Sequence, residues 1–153
     1  MKSRNGFSLI ELLIVVVMLG IMASVVIPQF CEAGTEAKTT SLRTDIHNVR
    51  TLIQLYKFHH NDALPGTTTD VDFETAMTSF TLQNGDLANP QAPGEGVFGP
   101  YLQKIPTNPF IEISINADVV EEGTGSPGGG NTGWYFNTST GAFNADDDDH
   151  SNL

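Results

Sequence analysis

Cysteine is almost absent: Cys31 stands alone among 153 residues, so no disulfide can form within one chain. Basic residues are scarce as well. Seven Lys and Arg stand against 18 Asp and Glu, a formal net charge of −11. That balance argues against nucleic acid as a partner, because phosphate binding wants a basic face. Polar side chains are missing entirely from Leu12 to Ala23, LLIVVVMLGIMA, whereas the rest of the chain is polar, acidic and rich in Gly, Thr, Asn and Asp. A chain so divided is not a simple cytosolic globule.

The apolar run extends from Phe7 to Ile27, interrupted only by Ser8, Glu11, Gly20 and Ser24. At a rise of ~1.5 Å per residue it spans roughly 30 Å, one hydrocarbon core. Lys2 and Arg4 precede it, the flank expected on the cytoplasmic side. A cleaved secretory signal would end sooner, in a small-x-small site; Ala23-Ser24-Val25 is a poor one and Pro28 follows at once. A retained membrane helix is the better reading. Glu11 sets it apart from a plain anchor, since an acid in an apolar helix costs ~2.5–3.5 kcal/mol on insertion scales. It either reaches back to headgroups, Lys2 and Arg4, or it has a partner.

Gly6-Phe7-Ser8-Leu9-Ile10-Glu11, behind a short basic leader, resembles the prepilin signal of type IV pilins and type II secretion pseudopilins. The resemblance covers Met1 to about Phe30. It implies cleavage between Gly6 and Phe7 by prepilin peptidase and N-methylation of Phe7. It also implies that Glu11 pairs with the N-terminal amine of a neighbouring subunit during assembly. Such a pair supplies register more surely than net stability.

Beyond the membrane segment, Pro28 and Gly34 offer a bent or melted stretch. Leu42, Ile46, Val49, Ile53 and Tyr56 then recur at helical spacing, with Leu52 and Leu55 broadening the stripe. Lys38, Arg43, Asp45, Asn48 and Arg50 fall off it and are expected in solvent. The helix should end at Phe58 or His60, before Asn61-Asp62 and Leu64-Pro65-Gly66. A stripe of this kind usually means packing on a domain; a coiled-coil dimer is the alternative.

The remaining ~90 residues are too few for a robust core of their own and need the apolar helix face above them. Phe73, Ala76, Met77 and Phe80 mark a second helix over residues 72–82. Ile111, Ile113 and Ile115 alternate with polar residues as a half-buried strand, which Val119-Val120 extends. Residues 121–132, EEGTGSPGGGNT, read as a loop. Gly128-Gly129-Gly130 is followed by neither Lys-Ser/Thr nor a helix, so it reads as a flexible linker rather than a phosphate cradle. Trp134-Tyr135-Phe136 and Ala142-Phe143 form a hairpin around residues 137–141.

Leu64-Pro65-Gly66, Gly99-Pro100-Tyr101-Leu102, Ile105-Pro106 and Asn108-Pro109 resemble the head of the major pseudopilin of type II secretion. So does Gly133-Trp134-Tyr135-Phe136, with Thr140-Gly141 and Asn144-Ala145-Asp146. Phe110-Ile111-Glu112 departs from it, occupying the place of the family's Trp-Gly-x-Pro-Tyr stretch.

Asp146-Asp147-Asp148-Asp149-His150 is the sharpest polar cluster. Consecutive acids alternate sides and lack EF-hand spacing, so a solvated acidic tail is the plain reading. Weak calcium binding by Asn144, Asp146 and Asp148 is the alternative, and no other cofactor is expected. His47, His59 and His60 lack the companions of a zinc site, and no Ser sits in a nucleophile motif. No enzymatic activity is expected. Cys31 reads as a free thiol, or as an intersubunit disulfide in an oxidising envelope.

The expected architecture is α+β and pilin-like: a long transmembrane and amphipathic helix on a small antiparallel sheet. Its parts are a leader (1–6), an assembly helix (7–30), the amphipathic half (31–60), a head (61–145) and an acidic tail (146–153). The resemblance implies a homo-oligomeric filament, most simply a type II secretion pseudopilus. Its partners would be other pseudopilins, prepilin peptidase, an inner-membrane assembly platform and membrane lipid. A type IV pilus subunit, or an adhesive or DNA-capturing minor pilin, is the alternative. The N-terminus would face the cytoplasm, with the head in the periplasm or outside.

Overall fold

Helix α1 runs Leu9–His59, and its sequence changes character along the way. The first part is apolar all round; the later part carries the single stripe Leu42, Ile46, Val49, Ile53 and Tyr56, each no more than 2% exposed. The computed structural model describes residues 6–67, 70–89, 96–111 and 116–153. The chain divides into two units, Met1–Thr39 and Thr40–Leu153. Helical backbone continues through Pro28 and Gly34, where a bent or melted stretch was expected. Proline removes one donor from the ladder; farther along, the Thr39 hydroxyl donates to the Thr35 carbonyl at 3.1 Å.

In the second unit the α1 stripe packs on Phe73, Met77, Trp134, Phe136 and Phe143, all fully buried. Burying side chains of this size contributes about 1.5–3 kcal/mol each. The rings interlock: Phe73 lies 4.4 Å from Phe136 and Trp134 lies 5.2 Å from Phe143, centroid to centroid.

Helix α2 is Phe73–Thr78, shorter than the expected 72–82. Asp72 caps it by accepting the Thr75 N–H at 2.7 Å. Glu122 adds a cap from a distant strand, accepting the Phe73 N–H at 2.7 Å. Past Ser79 the chain turns extended, and Phe80 leaves the helical face for a half-exposed position. Strand β1 (Thr81–Leu82) pairs antiparallel with β2 (Val97–Phe98).

The main sheet has the order β3 (Val120–Gly123), β4 (Trp134–Asn137), β5 (Phe143–Ala145). The β4–β5 hairpin is antiparallel, with Trp134 opposite Ala145, as the sequence leads one to expect. The β3–β4 pair is parallel, Val120 opposite Trp134, so the sheet is mixed rather than antiparallel. Parallel neighbours need a crossover connection, and residues 124–133 supply it as irregular glycine-rich chain instead of a helix. Glu121 and Glu122 belong to β3, not to the loop. Of the strand expected from Ile111 to Ile115, Ile111 lies in a bend and residues 112–115 fall outside the described residues, while Val120 opens β3. The α+β class stands.

Candidate assembly site and the head that follows it

The N-terminal site begins with Ser8. Its carbonyl accepts the Leu12 N–H at 3.3 Å, and its own N–H donates to Glu11 Oε2 at 2.8 Å. Ser8-Leu9-Ile10-Glu11 is thus a capping-box sequence whose glutamate reaches back to the cap residue. That signal was present in the spacing of Ser8 and Glu11. The carboxylate satisfies one orphan donor and sits where the helix dipole favours negative charge. Gly6 and Phe7 are exposed just ahead of it, and Gly6 has nothing within 4 Å of a would-be Cβ.

Behind this cap the apolar surface is open. Phe7 is 85% exposed, Leu9 85%, Ile21 64% and Phe30 73%. The helix is long and apolar enough to cross a membrane. Ser24, polar within this stretch, turns its hydroxyl onto the Ile21 carbonyl at 2.7 Å and so presents no unpaired donor to an apolar surrounding.

The C-terminal segment is built in, not solvated. Asp146 is 1% exposed and Asp147 8%, while Asp148 and Asp149 face solvent. Asp146 Oδ1 accepts the N–H groups of Gly128 (2.9 Å) and Gly129 (3.1 Å). Its Oδ2 accepts the Thr132 hydroxyl at 3.0 Å, and its carbonyl accepts the Gly130 N–H at 2.8 Å. The triple glycine is therefore an anion nest occupied by the chain's own carboxylate, not a flexible linker.

Asn108 is the next hub. Its side-chain amide donates to the Gly133 carbonyl at 2.9 Å and to Asp147 Oδ2 at 3.1 Å, while its Oδ1 accepts the Phe110 N–H. Asp147 also pairs with His150, whose ring stacks on Phe110. Gly133 must be glycine here, since a Cβ would stand 2.0 Å from the Ala117 carbonyl oxygen.

These bonds separate the expected calcium ligands. Asp146 is engaged by hydrogen-bond donors, which oppose a cation. The Asn144 Oδ1 accepts from Arg50 at 3.1 Å and its Nδ2 donates to the Ser151 carbonyl, while Asp148 points into solvent. Among the described residues, no group of three or more His, Cys, Asp and Glu is placed to hold a metal ion.

Arg50, expected free in solvent, instead ties α1 to the C-terminal segment. It donates to the Phe143 carbonyl (2.9 Å), to Asn144 and to the Leu153 carbonyl (2.7 Å). Partial burial lowers its pKa.

His59 and His60 do more than end the helix. His60 is 1% exposed and stacks on Tyr56 at 3.8 Å. Its Nδ1 meets the Tyr56 carbonyl at 2.8 Å, and its Nε2 the Thr81 hydroxyl at 2.9 Å. A carbonyl only accepts, so Nδ1 carries the proton of the neutral ring and Thr81 donates to Nε2. Burial pushes His60 below the ordinary imidazole value, the Tyr56 bond opposing this and His59 adding to it. His59 bonds the Tyr101 hydroxyl at 2.9 Å, and burial drives that phenol well above its usual value, with Tyr56 contributing. Burial likewise raises Glu122, against the Phe73 N–H and with Asp72.

Trp134 Nε1 donates to the Pro106 carbonyl at 2.7 Å, and the Tyr101 and Leu102 N–H groups both reach the Met77 carbonyl. The head motifs singled out in sequence thus meet around one core.

Residues 1–27 match the family model of the prokaryotic N-terminal methylation motif. The chain is 33% identical over 109 residues to the type II secretion system core protein G of Pseudomonas aeruginosa, covering 71% of this chain and 70% of that protein. It is 33% identical over 110 residues to the core protein G of Vibrio cholerae, covering 72% and 68%. A fimbrial protein of Pseudomonas aeruginosa is 29% identical over 86 residues, 56% of each chain. No solved structure matches. With a methylation motif that runs into an exposed apolar helix and 33% identity to core protein G across an alignment covering most of both lengths, the chain belongs to the type II secretion major pseudopilin family.

Proposed function

We propose that this chain is a structural subunit of a type II secretion pseudopilus, inserted in the inner membrane with its N-terminus in the cytoplasm. Prepilin peptidase cuts between Gly6 and Phe7, and the new amine on Phe7 is methylated. The carboxylate of Glu11 then serves the amine of the next subunit, and an assembly platform lifts the chain out of the lipid into a filament shared with other pseudopilins. The work is mechanical, and the residues that matter most are those of the first helical turn.

The observation that carries this reading is the pairing of a wholly exposed apolar helix surface with one acid placed at its start. Lipid covers that surface before assembly and neighbouring helices cover it afterwards. An acid there is costly in lipid, and a neighbour's amine offsets the cost only in one register. Glu11→Ala tests it: membrane insertion should persist while filaments disappear. Filaments of Glu11→Ala at the wild-type level would overturn the role given to Glu11. A type IV pilus subunit is the second reading, supported by the 29% identity to the fimbrial protein.

A further inference from the structure

The second unit carries its charge unevenly. Arg43, Arg50 and Lys57, three of the chain's seven Lys and Arg, recur every seven residues and so share one flank of α1. Arg43 and His47 are exposed and line a groove of about 260 Å³ with Arg50. Arg50 fixes where this flank lies. It donates to the Phe143 carbonyl and to Asn144 Oδ1, so the basic flank borders β5, one outer strand of the sheet.

The acids gather at the other outer strand. Glu121 and Glu122 stand in β3 and are exposed, as are Asp72 and Glu74 at the start of α2. The Glu122 carboxylate accepts the Phe73 N–H, which brings β3 and the start of α2 together. Burial raises the Glu122 pKa and the neighbouring Asp72 adds to it, so these carboxylates repel. Strand β4 separates β3 from β5, and two strand spacings put about 10 Å between the outer strands. Among the described residues, none of Arg43, His47, Glu74, Glu121 and Glu122 forms an ion pair within the chain.

We propose that Glu74 and Glu121, at the β3 edge of one copy, dock on Arg43 and His47, at the β5 edge of a second copy. Each copy then offers its acidic edge to one neighbour and its basic flank to another. Because the two patches lie at opposite edges of one sheet, a two-fold pair of copies cannot engage both at once. The contact is therefore heterologous and runs on from copy to copy, as a filament requires. The second copy is the occupant because the chain itself supplies both charges, in equal number at every step. Acid on acid or base on base repels, so the edges meet in one sense only. Singly, exposed pairs are weak and salt-screened; repeated at every subunit step, they select which edges meet. The inference rests on the filament reading above.

The test uses the full-length chain expressed with its assembly machinery, scoring sheared filaments against membrane-inserted subunit. Glu74→Lys with Glu121→Lys, or Arg43→Glu with His47→Glu, should each lower filament yield roughly fivefold or more. All four substitutions together should restore it, which damage to the fold would not allow. A second measurement uses a Cys31→Ser background, with Glu121→Cys in one chain and His47→Cys in another, and a short bismaleimide. Crosslinked dimers should form in filaments that contain both chains and in filaments of neither chain alone. Reversals that assemble like wild type, a fourfold variant no better than either half, or mixed filaments without dimers would overturn the proposal. Dimers from one chain alone would overturn it too, since they would mark a two-fold contact. If wild type forms no filaments, the filament reading fails and this contact with it. If wild type forms them and the charge variants do so equally, only the contact fails.

Discussion

The backbone N–H of Ser8 donates to the carboxylate of Glu11 at 2.8 Å. In the single chain, then, the acid at the head of the apolar helix already holds a partner, and that partner belongs to its own first turn. The cap uses the same carboxylate that the proposed inter-subunit pairing calls on, for a different end. The cap keeps the acid ordered and its helix started; pairing needs its negative charge.

Glutamine separates the two. A capping box accepts Glu or Gln at this position, so Glu11→Gln keeps the bond to Ser8 and removes the charge. Glu11→Gln is expected to insert in the membrane with normal helix content and to fail in filament assembly as fully as Glu11→Ala. Filament yield and membrane fractionation on both variants decide it. Assembly by the glutamine variant alone would assign Glu11 to capping.

Asp146 and Asp148 sit two residues apart and should behave oppositely. Asp146→Ala strands two glycine N–H groups and the Thr132 hydroxyl in a half-buried nest. It should cost about 1–3 kcal/mol of head stability. Asp148→Ala, at an exposed position, should stay within about 0.5 kcal/mol. Denaturant unfolding of the detergent-solubilised chain measures both.

The same geometry bears on calcium. Because Asp146 is already met by donors, millimolar calcium should leave proteolysis of the C-terminal segment unchanged. Protection by calcium, lost in Asp146→Ala or Asp148→Ala, would instead support the ligand set Asn144, Asp146 and Asp148.

His60 makes stability depend on pH. It is held neutral in the native head, whereas the unfolded chain takes up a proton below about 6.5. In that range the unfolded state binds more protons, so stability rises with pH. His60's contribution is complete above about pH 6.5 and is lost as the pH falls toward the lowered native value. Glu122 and Asp45, both raised by burial, act in the opposite sense at lower pH. The thermal midpoint should therefore fall between neutral pH and pH 5.5 more steeply in wild type than in His60→Gln. Equal slopes would remove His60 from the account.

What the sequence made legible follows from what has a period or a fixed spacing. The stripe from Leu42 to Tyr56 shows because burial repeats with the helical turn, and the β4–β5 hairpin because its residues alternate around a short polar turn. The N-terminal site shows because the methylation motif and the capping box are both local sequence patterns. The parallel pairing of β3 with β4 has no such signature. It depends on an irregular crossover and on Gly133 admitting the Ala117 carbonyl, a contact between chain segments that spacing does not encode. The burial of Asp146 is hidden for the same reason. Four acids in a row look like a solvated tail until three N–H and O–H donors from the glycine loop are brought around one of them. Arg50 likewise looks exposed on a helical projection, and only the returning C-terminal segment gives it acceptors.

The central claim is that this chain is a processed filament subunit, and the most direct test is the mass of its N-terminal peptide recovered from assembled filaments. A peptide beginning at N-methylated Phe7, with Met1–Gly6 gone, is the predicted result. Met1 retained on assembled protein would contradict it.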